Sequence, residues 1–216
     1  MKNTLIFDLD GTLLNTLPTI AYYVNSALAK SNIGEIPLQD FCYYVGNGAK
    51  TLIRRSLAHF HIDDEATFER VYADYMEAYD KAPLYLTEVY SGIHELLESL
   101  KKRGIRCAVV TNKPHFAACE VVRHYFGSAF HYVQGIHEGV ALKPNPDGVF
   151  KVLETLSVKK EDAFFVGDTN VDMQTGTNAG LETIGVTWGF RPREELEQNH
   201  ATYIVDHPSE ILDLLV

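Results

Sequence analysis

The sequence predicts an α/β fold: a Rossmann-like parallel sheet core carrying an inserted all-helical domain. Three observations predict it. Short apolar runs alternate with helical patterns from about residue 93 to the end. Two of those runs, and the earlier run Leu5–Phe7, stop on polar residues, at Thr111, Gly167-Asp168 and Asp8. Between the first run and about residue 82 lie four helical patterns with no strand among them. Strands alternating with helices pair in parallel, with helices on both faces of the sheet. The expected division is a core of residues 1–15 and 83–216 and an insert of residues 16–82.

The elements follow in order. Leu5, Ile6 and Phe7 form a run too short for an amphipathic helix and suited to a strand buried on both faces. In the insert, Thr19–Lys30 places Ile20, Tyr23, Val24, Ala27 and Leu28 at helical spacing, and Asn32-Ile33-Gly34 closes it. Pro37–Val45 and Ala49–Phe60 are expected as shorter helices, separated by Gly46-Asn47-Gly48. Asp63–Lys81 is the longest, with Phe68, Val71, Tyr72, Tyr75, Met76 and Tyr79 along one stripe. Aromatics at that spacing are read as packing rather than as a cofactor site. Beyond Pro83, helices are expected at Ile93–Arg103, Pro114–Tyr125, Pro146–Leu156, Val171–Ala179 and Pro208–Leu215. Strands are expected at Ile105–Val110, His131–Gln134, Ala163–Val166, Thr183–Val186 and Tyr203–Val205.

Composition narrows the function. The 216 residues are 46% hydrophobic and 22% charged, with 19 Lys plus Arg against 29 Asp plus Glu. A net charge of −10 argues against a broad nucleic-acid surface, and an anionic substrate would need a locally positive pocket. Lysines beside apolar strand ends therefore carry information. Cys42, Cys107 and Cys119 contain no CxxC pair, which fits a reducing setting. With no signal-peptide pattern and no 18-residue apolar stretch, the expected location is cytoplasmic, away from membranes. The nine histidines are scattered, and His59 with His61 lacks metal-pair spacing.

Chemistry collects where the strands stop. Asp8 and Asp10 flank Leu9 before Gly11, an arrangement open to two readings: a hairpin turn, or a pair of hard oxygen ligands for Mg²⁺. In an open parallel sheet the carboxyl ends line one crevice. Asp8, Thr111 and Asp168 should then meet there, and Lys143, bracketed by Leu142 and Pro144-Asn145-Pro146, can reach it. Taken singly, Thr111 is equally a helix cap, Lys143 a solvated lysine, and Asp168 with Asp172 an acidic turn. Their joint arrival at strand ends is what chance explains badly.

In this order the motifs resemble the haloacid dehalogenase superfamily, and within it the phosphatases with a helical cap. Asp8-Leu9-Asp10-Gly11-Thr12 matches the first motif, Thr111 the second, Lys143 the third, and Gly167-Asp168-Thr169 through Asp172 the fourth. The resemblance implies that Asp8 is the nucleophile, giving an aspartyl-phosphate, and that Asp10 is general acid and base. It implies Mg²⁺ on Asp8, the Asp10 carbonyl and Asp168, with Asp172 orienting that shell. Lys143 would stabilise the transferring phosphoryl group, and Thr111, with Asn112 beside it, would bind phosphate. Asp10 separates phosphatases from true dehalogenases, which do not keep an aspartate two residues after the nucleophile. Asn15 stands where the family usually has aspartate, a change near the cap linker.

The insert would be the cap. Its expected recognition loop is Val45–Lys50, where Gly46, Asn47 and Gly48 allow backbone approach and Lys50 and Arg54 are candidate contacts. The bland alternative is a helix-to-helix turn with solvated cations. This loop, Thr111–Pro114 and Gly185–Arg191 look most like the phosphoglycolate phosphatases of the superfamily. The expectation is therefore a Mg²⁺-dependent phosphatase of a small ester, 2-phosphoglycolate first, acting as monomer or homodimer. Pyrophosphate, sugar phosphates, nucleotides or a mutase reaction are the alternatives on the same scaffold; a non-catalytic binding module is disfavoured, because every acid and cation is present.

Overall fold

The computed structural model describes residues 2–215; Met1 and Val216, the outer ends of the expected core, lie outside the described residues. The chain forms two compact units. One runs to Asn15 and resumes at Val89; the other is Thr16–Glu88. Residues 83–88, expected with the core, group with the helical unit.

In chain order, β1 (Thr4–Phe7) and the short β2 (Leu14–Asn15) precede α1 (Leu17–Lys30), a 3₁₀ turn at Leu38–Tyr43, α2 (Ala49–Ala58) and α3 (Glu65–Lys81). There follow β3 (Glu88–Val89), α4 (Ile93–Lys102), β4 (Arg106–Pro114), α5 (His115–Phe126), β5 (Tyr132–Ile136) and α6 (Asp147–Leu156). The chain ends with β6 (Ala163–Gly167), α7 (Asn170–Ala179), β7 (Glu182–Val186), α8 (Arg193–Gln198), β8 (Tyr203–Val205) and a 3₁₀ segment at Pro208–Leu215.

Six strands form one parallel sheet in the order β5-β4-β1-β6-β7-β8. Every residue of β1 and of β6 is buried, as strands covered on both faces must be. On one face Ile6, Ala108, Val110 and Phe165 pack with Val149, Val152 and Leu153 of α6. Each of the larger side chains, Ala108 excepted, contributes about 1.5–3 kcal/mol by leaving water.

Four elements depart from expectation. β4 continues to Pro114 instead of stopping at Val110, because Pro114 forbids helical backbone at Lys113 and Pro114 pairs with Ile136 of β5. The expected helices at Pro37–Val45 and Pro208–Leu215 are 3₁₀ turns. In the first only Phe41 is buried, too little apolar face to hold an α-helix. Helix α8 was not foreseen from sequence, being six residues with one buried anchor, Leu196.

In the helical unit the long stripe packs in its main part, with Tyr72 and Met76 only half-buried. Phe68, Val71, Tyr75 and Tyr79 of α3 are buried, and Tyr79 meets Tyr23 of α1 edge-on at 5.7 Å. The Tyr23 hydroxyl donates to the Ala82 carbonyl at 2.8 Å, and Asp64 caps α3 by accepting from Thr67 N at 2.8 Å.

Candidate active site

The sheet register brings the polar stops together. Phe7 pairs with Val109 and with Val166, so Asp8, Val110 and Gly167 stand level at the carboxyl edge. Asp8 N donates to the Val166 carbonyl at 2.8 Å, which extends β1 by one rung and fixes the Asp8 backbone. Thr111 follows in β4, Asp168 follows β6, and Asp172 lies in the first turn of α7.

Lys143 ties two acids together. Its Nζ lies 2.7 Å from Asp8 Oδ1 and 2.7 Å from Asp172 Oδ1. The other Asp172 oxygen accepts from Thr169 N at 3.0 Å and Thr169 Oγ1 at 2.7 Å, so Asp172 also caps α7. The Lys143 backbone is held by Asn112: Lys143 N donates to Asn112 Oδ1 at 2.7 Å, and Asn112 Nδ2 donates to the Lys143 carbonyl at 3.2 Å. Asn112, expected at the phosphate, thus spends its carboxamide on positioning Lys143.

Asp168 is completely buried, and each oxygen has a donor. Thr12 Oγ1 donates to Oδ1 at 3.0 Å and Phe190 N to Oδ2 at 2.8 Å. Gly11 has φ of +95°, and a Cβ there would overlap the Asp168 carboxylate. The Asp-Gly turn is therefore set by the approach of Asp168 as much as by its own backbone. Trp188 Nε1 donates to the Thr12 carbonyl at 3.0 Å, tying the loop after β7 to the same turn.

Asp10 faces a second lysine. Lys113 Nζ lies 2.8 Å from Asp10 Oδ1 and 3.0 Å from Oδ2. Lys113 N donates to Thr111 Oγ1 at 3.2 Å, which leaves the buried Thr111 hydroxyl hydrogen to donate elsewhere.

The electrostatics are unbalanced. Asp8, Asp168 and Asp172 are buried, and each offers an oxygen within 4.8 Å of the others, while Lys143 supplies one positive charge among them. Burial pushes the Asp8 carboxyl up to about 7; Lys143 opposes this, and Asp172 and Asp10 reinforce it. Burial also holds Asp168 protonated well above the usual carboxylate range, with Asp172 and Asp8 adding to it. Burial alone would lower the Lys143 ammonium, but Asp172 and Asp8 outweigh it and raise it. Hard oxygen donors crowded beyond what one lysine neutralises fit a divalent cation.

Of the residues expected at the site, Asp8, Asp10, Thr111, Asn112, Asp168 and Asp172 lie in the sheet unit near the carboxyl ends of β1, β4 and β6, and Lys143 reaches them from the loop between β5 and α6. The Asp10 side chain turns to Lys113 rather than joining the three-carboxylate group. Gly46, Asn47, Gly48, Lys50 and Arg54 belong to the helical unit. There Gly46 and Gly48 have φ of +104° and +82°, and Gly48 precedes α2. Arg54 donates to both carboxylate oxygens of Glu65 at 3.0 Å and stacks over Phe68 at 3.8 Å; Lys50 lies 6.0 Å from the Tyr72 ring. Sequence reading placed Thr12, Lys113 and Trp188 inside its motifs but gave none of them a role of its own. For Lys113 the signal existed: like Lys143 it is a lysine beside a proline, and it stands at the end of an apolar strand.

An aspartate at a strand end, a buried lysine and an acidic cluster on a parallel sheet fit a hydrolase of the phosphatase class. The chain belongs to the haloacid dehalogenase-like hydrolase family, whose model matches residues 5–186. It is 33% identical over 217 residues to phosphoglycolate phosphatase 1 of Pseudomonas aeruginosa, covering 98% of this chain and 79% of that one. A crystal structure from Lactobacillus delbrueckii subsp. bulgaricus superposes with a TM-score of 0.95 at 26% identity, covering 100% of this chain and 99% of that one. Another, of a predicted phosphoglycolate phosphatase from Haemophilus somnus 129pt, gives 0.91 at 27% identity, covering 100% and 98%.

Proposed function

We propose that the protein hydrolyses 2-phosphoglycolate through an aspartyl-phosphate on Asp8, with Mg²⁺ as the cation. The observation that carries this is Asp8 at the end of β1, 2.7 Å from the Lys143 ammonium and within the acidic cluster, with Asp10 two residues on. The substrate assignment draws on the phosphoglycolate phosphatase similar to this chain over nearly its whole length.

Asp8 Oδ attacks phosphorus, and the bond from phosphorus to the ester oxygen breaks. Asp10 gives the departing glycolate oxygen its proton. A water then loses a proton to the Asp10 carboxylate and attacks the same phosphorus, and the bond from phosphorus to Asp8 breaks. Lys143 and Thr111 stabilise the equatorial oxygens, and Asn112 keeps Lys143 in place. Asp8, Asp168 and the Asp10 backbone carbonyl would hold Mg²⁺, with Asp172 orienting that shell. Bound there, the ion supplies charge neutralisation between carboxylate and phosphate.

The helical unit is assigned the cap role, with Gly46, Asn47, Gly48 and Lys50 selecting the substrate. Arg54 braces the start of α3 through Glu65. The protein works in the cytoplasm as a monomer or homodimer; among the described residues no helix is long and apolar enough to cross a membrane. The test is phosphate release from 2-phosphoglycolate, pyrophosphate, sugar phosphates and nucleotides, with Mg²⁺ and with chelator. The proposal expects 2-phosphoglycolate far ahead, and only with the metal. Equal release from all of them would remove the substrate assignment.

A further inference from the structure

Lys113 is a buried lysine to which the phosphoryl-transfer scheme gives no work. Its side chain is 4% exposed, whereas that of its partner Asp10 is 20% exposed. Three features fix it. Pro114 keeps the Lys113 backbone extended, its N–H donates to Thr111 Oγ1, and Nζ touches both oxygens of Asp10. A carboxylate held on both oxygens by one ammonium has lost the freedom to turn about its last torsion. Proton transfer depends steeply on that orientation. A buried ion pair is weak evidence of stability, because an apolar side chain of similar volume often replaces it without loss. Simple structural support therefore explains this pair poorly.

We propose that Lys113 is a positioning residue: it fixes the Asp10 carboxylate for proton delivery to the leaving oxygen and for proton removal from water. The inference rests on the acid and base role given to Asp10 above. It also separates the two lysines of the site, with Lys143 serving Asp8 and the phosphoryl group and Lys113 serving Asp10.

The test compares wild type, Lys113→Met, Lys113→Arg, Asp10→Asn and the double variant Lys113→Met/Asp10→Asn, using steady-state and rapid-quench kinetics. Two substrates are needed: 2-phosphoglycolate, and p-nitrophenyl phosphate, whose leaving group departs without a proton. In Lys113→Met the expected result is a fall in kcat of about 10–100-fold on 2-phosphoglycolate, with KM within about twofold. On p-nitrophenyl phosphate the same variant should show a burst of one product per enzyme followed by slow turnover, since only the second step then needs Asp10. Lys113→Arg should recover part of the loss, and it carries the comparison if Lys113→Met does not fold. In the double variant the Lys113 change should cost nothing beyond Asp10→Asn. Additive losses, unchanged kcat, or a loss confined to KM for 2-phosphoglycolate would overturn the proposal, the last by making Lys113 a substrate contact. Full turnover by Asp10→Asn would instead overturn the role of Asp10 itself.

Discussion

The Asn112 carboxamide and the Lys143 backbone are joined by two hydrogen bonds, at 2.7 and 3.2 Å, so the tip of β4 grips the loop that carries the lysine. Asn112→Ala should release that loop. We expect kcat to fall by about 10–100-fold, because a displacement of an ångström at a catalytic group costs up to that much. Asn112→Asp should do as badly, since it sets an oxygen against the Lys143 carbonyl. Neither change should matter further in a Lys143→Met background, which a double-mutant cycle on single-turnover rates measures.

Asp168 depends on Thr12, whose hydroxyl donates to it at 3.0 Å. Thr12→Val keeps the shape and removes the donor. Divalent-cation affinity should drop by about 10–100-fold, as for other groups that orient a metal ligand. Titration calorimetry with Mg²⁺ reads this directly.

The acidic cluster makes the metal-free protein sensitive to pH. The Asp8 carboxyl is raised from 3.8 to about 7, first by burial. Between those values the folded chain keeps a proton that the unfolded chain has released. Stability therefore falls as pH rises through this window and levels off above it. The loss from Asp8 is on the order of 4 kcal/mol, and Asp168 acts in the same direction. With chelator present, the melting temperature should be about 10 °C lower at pH 8 than at pH 5. Added Mg²⁺ should restore more at pH 8 than at pH 5, and Asp8→Asn should flatten the slope.

Phe165, at the centre of β6, is fully buried, and its ring lies 5.6 Å from Lys143 Nζ. Phe165→Ala should cost about 3–5 kcal/mol of stability through the cavity it leaves, measured by urea unfolding. Residual activity in the folded fraction should fall as well, because the ring forms part of the floor beneath Lys143.

Much of this was legible in the sequence. The runs at Leu5–Phe7 and Ala163–Val166 are short, apolar and abruptly ended, so both strands and the acids after them could be placed. Asp172 was legible as an acid near the site, and Thr169-x-x-Asp172 has the pattern of a helix cap. The pairing of side chains was harder to read. Whether Lys113 or Lys143 meets Asp8 depends on the register of β4 against β1 and on the path of the loop before α6, neither of which leaves a local pattern. Thr12 and Asp168 are 156 positions apart and meet only because β1 and β6 are neighbours. Asn112 was legible as a candidate phosphate contact, but its two hydrogen bonds to the Lys143 backbone join segments 31 positions apart and leave no local pattern. The 3₁₀ turn at Leu38–Tyr43 and the short helix α8 have too few buried positions for periodicity to define them.

The central claim is that Asp8 becomes phosphorylated. Wild-type protein mixed with 2-phosphoglycolate and Mg²⁺, quenched in acid within milliseconds and digested, should yield one phosphoryl group on the peptide carrying Asp8. That label should be absent from Asp8→Asn and should accumulate in Asp10→Asn when p-nitrophenyl phosphate is the donor. Turnover at the wild-type rate by Asp8→Asn, or a phosphoryl group on any other residue, would contradict the account.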